Sequence, residues 1–247
     1  MGKKYTFILP CLNEEKTLEY CIKEIQKCIE DKKLDAEILV SDNNSMDNSV
    51  EIAKRNGASV VICKERGYGA ALINGTRNAN GKYCIMGDSD GSYDFYNIDK
   101  FIEGLELGYD LVVGNRFKGG IKKDAMSISH KIGVRFLSGF SNLIFHTPIK
   151  DYHCGLRAYK KESIEKINLT QKGMEYASEM IILSKINNLK MLEVPTILRK
   201  DLRGKKSHLR TIRDGIRHLN LICTIAFNKD KYRVEDGKYR TSEEREN

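Results

Sequence analysis

Short apolar runs alternate along the first half of the chain with segments whose apolar residues recur at helical spacing. The apolar runs predict strands at 5–10, 38–40, 59–63, 83–86 and 111–113. Helical periodicity predicts helices between them, at about 18–29, 47–55, 70–79 and 98–107. Because the strands are almost unbroken in their apolar character, this alternation predicts an α/β fold with a mainly parallel, Rossmann-like sheet and helices on both faces.

Polar side chains follow four of these strands at the point where each strand ends. The clusters are Asn13-Glu14, Asp42-Asn43-Asn44, Asp88-Ser89-Asp90 and Asn115-Arg116. In a parallel sheet the carboxyl ends of the strands lie along one edge, and ligands bind in the crevice outside that edge. The four clusters therefore predict a single binding site there.

The carboxylates of Asp88 and Asp90 directly follow the fourth apolar run. Two hard oxygen ligands at a strand end suit a divalent cation such as Mg²⁺, which completes its shell with water and phosphate oxygens. Turn formation is the other interpretation, since Asp, Ser and Gly all favour turns. The position of the pair on the same edge as three other polar clusters favours the metal site.

The segment Gly67-Tyr68-Gly69-Ala70-Ala71-Leu72 follows the third predicted strand and opens a helix. It lacks the third glycine of a dinucleotide-binding fingerprint, because Leu72 stands there, and it does not follow the first strand. We therefore interpret it as a glycine turn that admits the next helix. Around Gly69 such a turn also lets the backbone approach a phosphate group.

The composition indicates one globular domain of the soluble kind. The chain of 247 residues is 40% apolar and 31% charged, and no stretch reaches the roughly 18 uninterrupted apolar residues that a spanning helix needs. Seven scattered cysteines without a CxxC pair predict reduced thiols in the core rather than a zinc site, which fits the cytosol. We predict a domain over 1–228 and a charged, flexible tail over 229–247.

A net charge of +8 favours an anionic partner. Basic residues are concentrated between Arg199 and Arg217, and apolar residues at helical spacing follow, which predicts a basic amphipathic helix over about 205–226. Such a helix suits the surface of an anionic membrane, which would place the protein in the cytoplasm, peripherally at the inner face of the membrane. It equally suits packing of the apolar stripe on the domain's own sheet.

Three motifs resemble the nucleotide-sugar half of the family-two glycosyltransferases, which have the GT-A fold. They are Pro10-Cys11-Leu12-Asn13-Glu14-Glu15, Ser41-Asp42-Asn43-Asn44-Ser45-Met46-Asp47 and Gly87-Asp88-Ser89-Asp90. The second departs from the usual Asp-Asp-Gly-Ser-x-Asp, because asparagine occupies positions 43 and 44. Later motifs, among them Val113-Gly114-Asn115-Arg116-Phe117 and the run from Asp151 to Tyr159, resemble the dolichyl-phosphate and undecaprenyl-phosphate sugar synthases of that family.

The resemblance implies an inverting enzyme that moves a sugar from a nucleotide-sugar to a polyprenyl phosphate in cell-envelope glycan biosynthesis. It implies a nucleotide-sugar site made of Pro10, Leu12, Glu14, Asp42, Gly69, Asp88, Ser89 and Asp90. Asp88 and Asp90 would hold Mg²⁺ or Mn²⁺, with Asp90 favoured as the direct ligand. A carboxylate at Asp42 accepts a hydrogen bond from an imide N–H, which favours a UDP-sugar over a GDP-sugar.

The acceptor side follows from the chemistry of a lipid phosphate, which is mostly a dianion at neutral pH and attacks the anomeric carbon without a protein base. By the resemblance, Asp88, Asp90 and Arg116 act in catalysis. The side chains that would bind the acceptor phosphate are Arg116, Arg135, Ser138, Arg157 and Arg203. For Arg116 and Arg157 a structural ion pair, for example with Asp151, is the alternative.

Three other functions stay open at the level of the sequence. A glycosyltransferase that acts on a glycan or protein hydroxyl would need a carboxylate base, and Glu175 and Glu179 are one helical turn apart. A nucleic-acid-binding protein would explain the positive charge but not the carboxylates at the sheet edge, so no nucleic acid is predicted as a partner. A non-catalytic nucleotide-sugar-binding module would not need Asp88 and Asp90. Assembly into a homo-oligomer is left open.

Overall fold

A single seven-stranded sheet forms the centre of the fold in the computed structural model, which describes residues 3–204 and 211–234. The strands are β1 (Tyr5–Cys11), β2 (Ala36–Asp42), β3 (Ser59–Ile62), β4 (Tyr83–Met86), β5 (Leu111–Asn115), β6 (Arg157–Lys160) and β7 (Met191–Pro195). Their order across the sheet is β3-β2-β1-β4-β6-β5-β7. β6 runs antiparallel to both of its neighbours, and the other pairs are parallel.

Helices connect the strands and cover the sheet. They are α1 (Leu18–Asp31), α2 (Ser49–Arg55), α3 (Tyr68–Asn78), α4 (Asp99–Glu106), α5 (Arg116–Gly119), α6 (Ile128–Phe145), α7 (Lys161–Lys166), α8 (Tyr176–Ile186) and α9 (Thr211–Phe227). The predicted α/β class is confirmed, and the five predicted strands and four predicted helices lie where the periodicity places them. Among the described residues no helix is long and apolar enough to cross a membrane.

The strand register shows that helices lie on both faces of the sheet. One row of paired residues crosses four neighbouring strands and therefore shares a face: Ile8, Met86, Arg157 and Val113. α3 packs on this face, with Gly75 directly over Ile8. α4 packs Gly104 against Val112, which alternates with Val113 and so belongs to the opposite face. The seven cysteines are free thiols, six of them buried, as predicted.

The C-terminal helix α9 packs against the body of the protein. Leu221, Ile222 and Ile225 of its apolar stripe are buried, and α9 lies against α6 and α8. The predicted amphipathic helix began at 205; residues 205–210 lie outside the described residues. The folded chain continues past the predicted boundary at 228, because the backbone carbonyl of Tyr232 and the amide of Val234 bond to the side chain of Asn187. Residues 235–247 of the predicted tail lie outside the described part.

Candidate functional site

A cavity of about 760 Å³ opens at the carboxyl ends of the strands. β1 contributes Pro10 and Cys11, and the loop after β4 contributes the predicted cluster at 88–90. Arg116, the first residue after β5, lies in the wall as well. All four predicted polar clusters thus contribute to one crevice. The contributing residues are Asn13 and Glu14, Asn43 and Asn44, the cluster at 88–90, and Arg116. Asn115 does not line the cavity. Its side chain caps α5 by accepting a hydrogen bond from the amide of Lys118.

The two carboxylates after β4 are held by different partners. Asp88 accepts a hydrogen bond of 2.7 Å from the hydroxyl of Tyr68, and burial together with the charge of Asp90 raises the pKa of Asp88 to about 6. Asp90 accepts one bond from the amide of Ser92 at 2.9 Å and another from Arg203 at 2.8 Å. Both carboxylates face the cavity.

Ser89 joins the loop after β4 to the end of β1 and to the residue before α1. The hydroxyl of Ser89 donates to the carbonyl of Pro10 at 2.6 Å, and the carbonyl of Ser89 accepts from Thr17 at 2.7 Å. Glu14 forms an ion pair of 3.2 Å with Arg203. Burial raises the pKa of Glu14 to about 6, although the nearby guanidinium opposes this.

The loop after β2 explains why asparagine is tolerated where the family has Asp and Gly. Asn44 has a φ of 64°, in the left-handed region that asparagine adopts more readily than most residues. The side chain of Asn43 accepts from the amide of Gly67 at 2.7 Å and donates to the carbonyl of Glu65, so it ties the β2 and β3 loops together. Asp42 is buried beside them, and its Oδ1 has no hydrogen-bond partner among the described residues.

Gly69 does not contact the cavity, which corrects its predicted place in the nucleotide-sugar site. A Cβ atom at this position would overlap the carbonyl oxygen of Gln171 and the side chain of Tyr176. The glycine is therefore required for close packing of α3 against the segment before α8. Gly67 and Tyr68 line the cavity in its stead.

Arg116 forms a buried ion pair with Asp151, the alternative that the sequence left open. Its Nε and Nη2 donate to the two carboxylate oxygens at 2.8 and 2.7 Å, and its backbone amide donates to Oδ2 at 3.1 Å. The side chains are 6% and 0% exposed. Because Arg116 also lines the cavity, the pair fixes a positive charge in its wall.

Three of the five predicted acceptor residues do not line the cavity. Arg157 is fully buried and donates to the carbonyl oxygens of Tyr152, Cys154 and Ala177, because it stands on the sheet face that α8 covers. Ser138 is buried too and accepts a hydrogen bond from the amide of Tyr152. Arg135 is exposed and stacks over the ring of Phe117 at 4.5 Å. Only Arg116 and Arg203 of that set belong to the cavity wall.

The cavity residues that the sequence reasoning missed include Tyr68, His130 and Arg217. Tyr68 lies inside the glycine turn that the sequence analysis identified, so its contact with the site could have been predicted from the sequence. His130 lies in the first turn of α6, where burial and then the charge of Arg116 lower its pKa. Arg217 of α9 pairs with Glu175. No sequence signal placed His130 or Arg217 in the site, because their positions depend on how α6 and α9 pack.

The two glutamates considered as bases are engaged in structural contacts. Glu179 accepts hydrogen bonds from the backbone amides of Thr170 and Gln171 and from the hydroxyl of Thr170. Glu175 is buried against Arg217. Neither glutamate lines the cavity.

Comparison with known proteins gives the family. The model of the family described as "Glycosyl transferase family 2" matches residues 6–168. The chain is 32% identical over 221 residues to the low-salt glycan biosynthesis hexosyltransferase Agl6 of Haloferax volcanii, a match that covers 89% of this chain and 53% of that protein. It is 29% identical over 224 residues to the dolichol-phosphate mannosyltransferase of Pyrococcus furiosus, covering 87% and 62%. The chain thus spans only about half to two thirds of the length of these relatives.

A solved structure shows the same fold. Glucosyl-3-phosphoglycerate synthase from Mycobacterium tuberculosis, in complex with Mn²⁺ and UDP-glucose, superimposes with a TM-score of 0.70 over 90% of this chain and 80% of that one, at 19% sequence identity. This likeness confirms the predicted GT-A type fold. The family match, which covers well over half of the chain, establishes that the chain belongs to glycosyltransferase family 2.

Proposed function

We propose that this glycosyltransferase moves a sugar from a UDP-sugar to a polyprenyl phosphate, with inversion and with the help of Mg²⁺ or Mn²⁺. One observation carries the proposal: a single cavity has the carboxylates of Asp88 and Asp90 and the buried guanidinium of Arg116 in its wall. A divalent ion with a diphosphate suits the carboxylates, and an anionic acceptor suits the guanidinium. The names of the Agl6 hexosyltransferase and the dolichol-phosphate mannosyltransferase support a lipid-linked glycan product.

The donor end fits a divalent ion that is shared with the substrate. Asp88 and Asp90 supply hard oxygen ligands, and the described residues contain no cluster of three or more His, Cys, Asp or Glu side chains that could enclose a metal. Such an open donor set suits Mg²⁺ or Mn²⁺, which would take its remaining ligands from water and the diphosphate. The ion would offset the charge that builds on the departing UDP.

The hydrogen-bonding groups near Asp42 favour uracil as the base of the donor. Asp42 does not itself line the cavity, but its buried Oδ1 has no hydrogen-bond partner among the described residues, and its sequence neighbours Asn43 and Asn44 do line it. A carboxylate oxygen accepts a hydrogen bond from the imide N–H of uracil. Guanine also carries a ring N–H, so transfer from UDP-sugars and from GDP-sugars has to be compared directly. Pro10, Leu12 and Glu14 line this end of the cavity.

At the acceptor end, Arg116 and His130 would orient the phosphate. The fork between Arg116 and Asp151 fixes the guanidinium, and the acceptor oxygen attacks the anomeric carbon while the bond to UDP breaks. The dianionic phosphate needs no proton removed. A hydroxyl acceptor would need a base. Glu179 accepts bonds from backbone amides and Glu175 pairs with Arg217, and neither carboxylate lines the cavity. The phosphate acceptor is therefore the better supported of the two.

A panel of donors tests this function. UDP- and GDP-sugars are offered with Mn²⁺, with and without a polyprenyl phosphate, and the products are separated as glycolipids. We expect transfer from a UDP-sugar to the lipid phosphate and a β-linked product from an α-linked donor, because a single displacement inverts the anomeric centre. The anomeric configuration is read by NMR. An α-linked product would rule out the single displacement, and transfer to a hydroxyl alone would replace the proposed acceptor.

The surface that we propose for contact with the lipid is a stripe on α6, which we call the α6 stripe. It consists of Ile128 (76% exposed), Ile132 (65%), Phe136 (61%) and Leu143 (73%). At 100° per residue these four side chains fall within one narrow arc of the helix. α6 begins at the cavity wall with Ser127 and His130 and extends about 27 Å from it. The exposed Arg135 lies beside the stripe, as suits an anionic membrane surface.

We expect the double variant Ile132→Ser/Phe136→Ser to bind anionic vesicles about tenfold more weakly, since two large apolar side chains no longer leave water. Sedimentation with vesicles measures the binding. Leu107→Ser is the control, because Leu107 is 69% exposed at the end of α4, outside the cavity wall. Transfer to a long-chain acceptor should fall more than transfer to a short, water-soluble prenyl phosphate. Unchanged vesicle binding accompanied by loss of a dimer would reassign the stripe to contact between copies of the chain.

A further inference from the structure

The segment between β7 and α9 crosses the edge of the cavity, and we call residues 198–203 the strap. It is fixed by backbone hydrogen bonds at three points: Leu198 to Gly120, Arg199 to Ser92 and Leu202 to Asp90. The side chain of Leu202 covers Gly91, which has a φ of 78°. The strap is thus held directly on the loop that carries the two carboxylates.

Two arginines of the strap have different surroundings. Arg199 pairs with Glu24 at 2.6 Å and with Asp94 at 2.7 Å, and neither carboxylate lines the cavity. Arg203 pairs with Asp90 at 2.8 Å and with Glu14 at 3.2 Å, and both of these do line it. Arg199 therefore fastens the strap, whereas the charge of Arg203 is placed among the carboxylates of the donor site.

The guanidinium of Arg203 and a divalent ion would both bind the carboxylate of Asp90. Arg203 donates to Oδ2, and Oδ1 already accepts from the amide of Ser92. An ion bound by Asp90 would lie close to the guanidinium, and two cations at that separation repel each other. A nucleoside diphosphate would relieve this repulsion, because its negatively charged oxygens can bind both the divalent ion and the guanidinium.

From this geometry we propose that Arg203 is an internal counterion of the donor carboxylates, which competes with the divalent ion for Asp90. The ion is then bound tightly only together with the nucleotide, and Arg203 turns from Asp90 to the diphosphate when both arrive. The hydrogen bond from the amide of Leu202 to the backbone carbonyl of Asp90 would keep the strap in place while the side chain of Arg203 turns. This inference rests on the proposed metal-dependent donor site.

Calorimetric titration of Mn²⁺, with and without UDP, tests the competition in the full chain. We expect Arg203→Gln to bind Mn²⁺ alone about tenfold more tightly than the wild type, a usual size for coupling between sites. The gain in Mn²⁺ affinity that UDP confers should shrink in the same variant. Arg203→Lys keeps the charge without the fork and should stay near the wild type for Mn²⁺ alone. Circular dichroism checks that each variant is folded.

Arg199→Gln is the matched control, since it removes one arginine from the same strap and leaves the cavity wall unchanged. An equal gain in Mn²⁺ affinity in Arg199→Gln would overturn the inference, because general charge or a loosened strap would then explain it. So would an unchanged affinity in Arg203→Gln while the wild type binds Mn²⁺ tightly with UDP. If the wild type does not bind Mn²⁺ even with UDP, the proposed donor site itself fails and the inference fails with it.

Discussion

Asp90→Asn is expected to lower transfer by about a thousandfold, which is the upper range for removal of one charge-stabilising hydrogen-bond donor from a preorganised site. The amide keeps an oxygen that can accept from the amide of Ser92, so the loop should retain its shape. It loses the negative charge that would hold the divalent ion and that now pairs with Arg203. The measurement is kcat/KM with saturating Mn²⁺, together with a thermal melt of the variant.

Asp94→Asn provides the matched control for this substitution. Asp94 lies in the same loop and pairs with Arg199 and Asn97, but it does not line the cavity. We expect it to keep most of the activity. Comparable activity in Asp90→Asn and the wild type would remove Asp90 from the proposed role.

Asp151→Ala is expected to destabilise the fold by about 3–5 kcal/mol, because it leaves the buried charge of Arg116 without its partner. Asp151 is fully buried and accepts three hydrogen bonds from Arg116. Chemical denaturation measures the free energy of unfolding, and the change in the midpoint at constant slope reports the loss.

The double variant Arg116→Met/Asp151→Leu separates stability from activity. Replacing both members of a buried pair by apolar residues of similar size is often neutral, so we expect most of the stability of the fold to return. Transfer should stay low, since the cavity wall has lost its fixed guanidinium. A double variant that recovers both properties would show that the pair is structural alone.

The donor half of the fold follows from the sequence because its signals are local. β1 to β5 are apolar runs, and their polar residues come directly after them, so the parallel arrangement alone brings these residues together. β6 was not predicted because it begins with Arg157, a residue that is charged and yet fully buried. Arg157 becomes buried only because β6 inserts between β4 and β5 in the sheet.

The acceptor side was less predictable because the role of an arginine depends on what lies around it. Arg157 looked like a phosphate ligand, but three backbone carbonyls surround its guanidinium, one of them on α8. Gly69 looked like a phosphate-binding glycine, but the chain before α8 passes over it. Both outcomes depend on contacts between residues far apart in the sequence, which no local pattern reports.

The position of β6 also has a consequence for how the protein folds. β4 cannot be joined to β5 in the sheet until β6, which comes much later in the chain, has entered between them. Closing such long loops is entropically costly before the contacts that reward it are made, so this step should come late. Because Gly155, just before β6, packs against the carboxylate of Asp88, the donor site should take its shape only when the sheet closes. A nascent chain that ends before β6 would expose the edge of β4 and should depend on chaperones until synthesis passes that point.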